Sequence, residues 1–232
     1  VTASSPSVFS AERWGLPREA VQDLSRDLRA VWQRYHHCFV TRRHDTSFYA
    51  FIYLKGLMLL PNQRNYANIA RRVVDPESDG QNLQQFMSDS PWSAQAVFER
   101  LQEDIRADHR LQGGMLSLDE SGDVRAGDQS AGAAHQYIGN VGKVAMGQVG
   151  VALGYYAADT WTLVDAELFL PAKWFDKAHR QLHRKLHIPK ERTYKTKLAI
   201  GLELIDRARQ HRLPFSRFSC DALYGQSHDF RE

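Results

Sequence analysis

The hydrophobic period changes near Gly113, and this constrains the chain more than any other feature. Before that point apolar residues recur at three-and-four spacing; after it they alternate, in three successive stretches with no helical pattern between them. Met115–Leu118 is short and apolar and leads to Asp119 and Glu120 in a polar turn. Residues 137–156 read as a hairpin around Gly139–Lys143, entering a strong strand at Val149–Tyr155. Thr160–Leu170 alternates again and is closed by Pro171. Strands that follow one another without a crossover helix favour an antiparallel meander. A basic stretch expected to be helical, an amphipathic helix over Lys197–His211 and a strand over Phe215–Cys220 complete the order. Strand, strand, strand, helix, strand is the opening order of an RNase H-like sheet.

The first part reads as a helical domain. Helices are expected over 17–35, over 45–59 ahead of Pro61, and over 62–73 with Arg64, Arg71 and Arg72 on the exposed side. A turn at Asp75–Gly80 precedes a short helix holding Leu83, Phe86 and Met87. A last helix is expected to start at Ser90 as N-cap, with Pro91 at its first position, and to run to about Asp108. Trp32, Tyr35, Trp92 and Phe98 are expected in its core rather than as base-stacking residues. The fold class is therefore α+β. An N-terminal helical domain over residues 1–110, of a kind that can dock on DNA, precedes an incomplete RNase H-like mixed sheet with flanking helices over 111–232.

Composition excludes several classes. With 43% hydrophobic and 25% charged residues the chain is a globular one rather than a disordered one. The longest apolar run near the front, Phe48–Leu60, contains Lys55 and Gly56 and is shorter than the ~20 residues of a membrane span. The first ten residues have neither the basic nor the apolar region of a secretory signal, so the protein is expected inside the cell and off the membrane. Cys38 and Cys220 form no metal or disulfide pattern and are expected as buried thiols.

A net charge of +3 announces no partner, but its distribution does more. Lys173–Lys197 holds nine Lys or Arg against Asp176 and Glu191, a local balance of +7. Such a block is either a solvated helix face or a phosphate-contacting surface. His179, His183 and His187 recur every four residues within it; no Cys, Asp or Glu completes a metal site there, and a basic helix with polar-side histidines explains the same spacing.

Asp119 and Asp221 each stand at the C-terminal end of an expected strand, 102 positions apart. Such acids can simply terminate strands. They can also hold divalent ions, because phosphodiester chemistry places two such ions about 4 Å apart on oxygen ligands.

Several ordered motifs decide between these readings. L-D-E-S-G from Leu118, H-Q-Y-I-G-N-V-G-K from His135, Q-V-G-V from Gln148, D-A-E-L-F-L-P from Asp165 and D-A-L-Y-G from Asp221 together resemble a DDE-type insertion-sequence transposase. The likeness is to the bacterial branch whose first aspartate lies in a D-D-T-G-like turn. Tyr53–Leu57 and S-P-W at Ser90 extend it into the helical part. The resemblance implies that Asp119 is the first catalytic carboxylate and Asp221 the second, with Glu120 in reserve for the first role. It implies Mg2+ or Mn2+, two ions in the complete enzyme, and double-stranded DNA as partner, namely terminal inverted repeats and target DNA. A homodimer at the bacterial nucleoid is implied as well. DNA contacts are expected from Arg180, Arg184, Lys185, Lys190 and Arg192 and from Arg64, Arg71 and Arg72.

One departure stands out. The family's third acid lies on a helix beyond a further strand, whereas this sequence ends 11 residues after Asp221. Asp229 and Glu232 do not match that position. The expectation is a transposase fragment or a truncated relic; the alternative is a catalytically inactive DNA-binding remnant. An unrelated α+β binding protein with structural strand-end acids is a third reading.

Overall fold

The computed structural model describes residues 17–231. The leader reading over the first ten residues, and Glu232, therefore lie outside the described residues. The chain divides into two compact units between Arg100 and Leu101.

In the first unit five helices lie in chain order: α1 (Arg18–Tyr35), α2 (Ser47–Leu59), α3 (Tyr66–Val73), α4 (Gln81–Asp89) and α5 (Ala94–Ala107), whose last residues belong to the second unit. Ile52, Ile69, Ala70 and Leu83 form one buried cluster. Gly56 is required where α2 meets α3, since a Cβ there would stand 2.3 Å from the Ile69 side chain. Trp32 stacks on Phe39 and Phe51, and Phe86 on Trp92, at centroid distances of 5.2–5.9 Å. These offset rings leave an apolar cavity of about 350 Å³ lined by Trp32, Tyr35, Phe39, Tyr53, Phe86 and Trp92. Trp32, Tyr35, Trp92 and Phe98 are all half-buried.

Two helix starts differ from expectation. The third helix begins at Tyr66 because Asn65 caps it, its side chain accepting from the Asn68 N–H at 2.8 Å. The last begins at Ala94 rather than at Pro91, because the Ser93 hydroxyl, not Ser90, takes the capping role and accepts from the Ala96 N–H. Ser90 instead ends α4 in an extended conformation.

The second unit is a five-stranded mixed sheet: β1 (Gly114–Val124), β2 (Ala134–Ile138), β3 (Lys143–Ala157), β4 (Thr160–Leu168) and β5 (Phe215–Cys220). β1 runs antiparallel to β3 and parallel to β5, while β2 and β4 both pair with β3. The order β4–β3–β1–β5 is that of an RNase H-like sheet. The meander is thus interrupted, because β2 pairs with β3 at its start and β1 skips β2 to pair with the rest of β3.

α7 (Lys197–Gln210) covers one face of the sheet, with Thr196 capping its first turn. Alternation along the strands sends Leu116, Leu118, Val151, Leu153 and Tyr155 toward it, against Ile200 and Leu204. The Tyr155 hydroxyl accepts from the Gly114 N–H and lies within hydrogen-bonding distance of the Leu111 and Pro214 carbonyls, fixing the starts of β1 and β5 together. Buried Gln102 donates to the Val164 carbonyl and meets His211 at 3.1 Å.

The basic stretch is not the long helix expected from its spacing. After short 3-10 turns at 172–175 and 177–179, only α6 (Arg180–Lys185) is α-helical. His187 takes a left-handed conformation, φ 53°, and the Ile188 N–H reaches back to the His183 carbonyl at 3.0 Å. This is the hydrogen-bond pattern of a Schellman stop, and Pro189 follows it. α8 (Ala222–Gly225) and α9 (His228–Arg231) close the described chain. Cys38 is buried as expected; Cys220 is only partly so.

Candidate active site

β1 does not end at its carboxylates. Its pairing with β3 continues through Asp119↔Ala152 and Glu120↔Val151 as far as Val124↔Gly147. On its other edge the parallel ladder with β5 stops at Leu118↔Cys220. Asp119 and Asp221 are therefore each the next residue after the last pair of two neighbouring parallel strands. Adjacent strands lie about 4.8 Å apart, so the two backbones present these acids side by side at the opening of the ladder.

Asp221 also begins α8. Its Oδ1 accepts from the Leu223 N–H at 3.0 Å and from the Tyr224 N–H at 3.4 Å. Asp119 Oδ1 accepts from the Glu120 N–H at 2.7 Å. Both aspartates are exposed, and among the described residues the second oxygen of each has no hydrogen-bond partner. Asp119 shares a strand face with Met115 and Ser117, opposite the face covered by α7.

Glu120 points the other way. Its Oε2 is paired with Lys197 Nζ at 2.7 Å, both side chains being 20% exposed, and its Oε1 is buried without a partner among the described residues. Tyr224 is fully buried on this same side, its ring against Gly201 of α7, and its hydroxyl too has no partner among the described residues. Burial pushes that hydroxyl's pKa well up, and the charges of Glu120, Asp221 and Asp119 push it in the same direction. All three carboxylates thus act on one tyrosine. In the sequence Tyr224 is carried only within D-A-L-Y-G, and Lys197 only as the last cation of the basic block.

A different acidic pair lies on β4. Asp165 is fully buried and bound by Arg207 at 2.8 Å; Glu167 is bound by Arg192 and reached by Lys195 and Arg207. Burial alone would raise the Glu167 carboxyl, but the hydrogen bond and charge of Arg192, with Lys195 and Arg207, hold it below its ordinary value. Burial likewise opposes the Arg207 charge, and its bonds to Asp165 and Glu167 raise it nonetheless.

The basic block divides accordingly. Arg180, Arg184, Lys185 and Lys190 are exposed and make no ion pair among the described residues, whereas Arg192, Lys195 and Lys197 are half-buried and held by acids. Arg192 also donates to the Leu168 carbonyl, so this expected DNA contact is occupied within the fold. In the helical unit Arg71 and Arg72 are exposed on α3; Arg64 is exposed ahead of it and donates to the Leu60 carbonyl.

The three histidines do not share a face, because α6 ends before His187. His179 and His183 instead lie against Trp174, at 5.1 and 6.1 Å. Among the described residues no group of three or more His, Cys, Asp or Glu is placed to hold a metal ion. The open oxygens of Asp119 and Asp221 are of the hard type that suits a divalent ion. The side chain of Asp229 is not among those described.

Comparison with known proteins places these features in context. The family model for DDE superfamily endonucleases matches residues 34–232. A probable transposase for insertion sequence element IS701 from Microchaete diplosiphon is 27% identical over 182 residues, which is 78% of this chain and 44% of that relative. The chain thus spans less than half of the relative's length. No solved structure matches. Among the described residues no helix is long and apolar enough to cross a membrane.

Proposed function

The chain belongs to the DDE superfamily endonucleases, and on that premise we propose that it acts in DNA transposition, contributing two carboxylates to metal-dependent cleavage and strand transfer at the ends of a mobile element. The observation that carries this reading is the register of β1 against β5, with Asp119 and Asp221 next after its last pair. Two acids at that opening supply hard oxygens toward a shared divalent ion, Mg2+ or Mn2+, while their other oxygens are held by backbone N–H groups. Bound divalent ions supply the Lewis acidity that phosphodiester cleavage uses.

The residues' own roles follow from their placement. Asp119 and Asp221 bind and orient; Glu120, turned toward Lys197, is better suited to support than to ligation. Arg180, Arg184, Lys185 and Lys190 offer uncompensated charge to phosphates, and Arg71 and Arg72 do so in the helical unit. The partner is double-stranded DNA, terminal repeats and target, engaged by a homodimer. The alternative, DNA binding without chemistry, is favoured by one observation: no third acid joins the pair among the described residues.

The test is a Mn2+ titration followed by paramagnetic broadening of carboxylate resonances, paired with a plasmid-nicking assay. Broadening centred on Asp119 and Asp221, and lost in Asp119→Asn and Asp221→Asn, supports the ion site. Binding of DNA without any such broadening supports the inactive reading.

A further inference from the structure

Two buried polar atoms, on the residue after Asp119 and three residues after Asp221, lack partners among the described residues, and they are chemically complementary. Tyr224 Oη has a proton to donate, and Glu120 Oε1 accepts. Leaving either buried and unpaired is costly, so a side-chain rotation that joins them is favourable.

Their attachments give that bond a consequence. Glu120 follows Asp119 directly and is anchored through Oε2 to Lys197, the first residue of α7. Tyr224 gives its backbone N–H to Asp221 and packs its ring on α7 at Gly201, where a Cβ would stand 3.1 Å from the ring and 2.7 Å from Leu118. Lys197 and Gly201 lie one helical turn apart on α7, so Glu120 and Tyr224 approach the same stretch of that helix.

We infer that the Tyr224 hydroxyl donates to Glu120 Oε1, and that Lys197, Glu120 and Tyr224 form a positioning set behind the site that fixes Asp119 relative to Asp221. Tyr224 and Glu120 touch neither ion nor DNA; they act through the aspartates beside them. The second half of the inference rests on the proposed role of those aspartates as ion ligands.

The experiment uses the full chain at a temperature well below its melting transition. Without metal or DNA, the Tyr224 hydroxyl proton is sought by NMR and assigned by its loss in Tyr224→Phe. It is expected in the wild type and in Glu120→Gln, which keeps the acceptor, and absent in Glu120→Ala. Mn2+ affinity is then measured across a double-mutant cycle. Tyr224→Phe and Glu120→Ala should each weaken it about tenfold, as loss of an outer-shell partner does. The double variant should be no weaker than the poorer single.

A hydroxyl signal indifferent to Glu120, an unchanged Mn2+ affinity in Tyr224→Phe, or losses that add in the double variant would each overturn the inference. A general loss of packing would lower the melting temperature without this pattern. Absence of Mn2+ binding in the wild type would overturn the ion-site reading and the positioning claim with it, whereas a Glu120-independent signal with Mn2+ binding intact would sink this inference alone.

Discussion

Two acidic pairs on the same sheet have opposite surroundings. Asp165 and Glu167 on β4 face α7 and are saturated by Arg207, Arg192 and Lys195. Asp119 and Asp221 stand where the β1–β5 ladder opens, with backbone N–H groups on one oxygen of each and no cation bound to them among the described residues. A carboxylate compensated from within the fold is a structural element. One held in place by backbone but left uncompensated is available to a cation from outside.

The contrast predicts opposite mutational behaviour, and the largest effect belongs to the saturated pair. Arg207→Ala leaves Asp165 buried and unpaired and should cost about 3–5 kcal/mol of stability, as breaking a buried pair does. Urea unfolding would measure it; a loss below about 1 kcal/mol would remove the distinction between the pairs.

Next come the aspartates. Asp119→Asn and Asp221→Asn should leave stability nearly unchanged while weakening Mn2+ by at least the ~10–100-fold that loss of a mere outer-shell partner costs. A large fall in stability with unchanged ion binding would move these acids into the structural class.

Two carboxylates hold an ion loosely, so residues 1–232 should bind DNA yet show little Mg2+-dependent nicking of supercoiled plasmid. Efficient nicking abolished by Asp221→Ala and by Asp229→Ala would place a third ligand in this chain.

The basic block offers a sharper version of the same contrast. Replacing Arg180, Arg184 and Lys185 by Ala should reduce the slope of log affinity against log salt by about 2–3 units, near 0.9 per phosphate contact. Arg192→Ala, by contrast, should lower stability more than it changes that slope. An unchanged slope in the triple variant returns these residues to a solvated face.

The smallest expected effect is on pH. The Glu167 carboxyl is held below its ordinary value in the fold, so its contribution to stability is complete above its unfolded pKa and is lost as pH falls through the folded one. Arg192→Ala should flatten this acid limb of the stability profile.

Local patterns were the legible part. β5 spans the expected Phe215–Cys220, and α7 and β4 fall within a few residues of their amphipathic and alternating stretches. These elements are set by side-chain period, which a linear sequence carries. In the basic segment the spacing of charge says nothing of the left-handed stop at His187, so its short helix is not legible. At Leu118 only one of the two ladders of β1 ends, since a strand's length depends on which neighbours it finds.

By itself the sequence determined the two kinds of region, the α+β class, the order of elements and the two aspartates worth weighing, because each rests on residues close together or on motifs in a fixed order. Only the tertiary structure decided that β1 skips β2, that Lys197 is the cation that meets Glu120, and that Arg192 belongs to the fold's own ion network. These outcomes come from contacts between residues as many as 77 positions apart, such as Glu120 and Lys197. Charge in a sequence carries no address; the packing of strand against helix assigns each cation its acid or leaves it facing water.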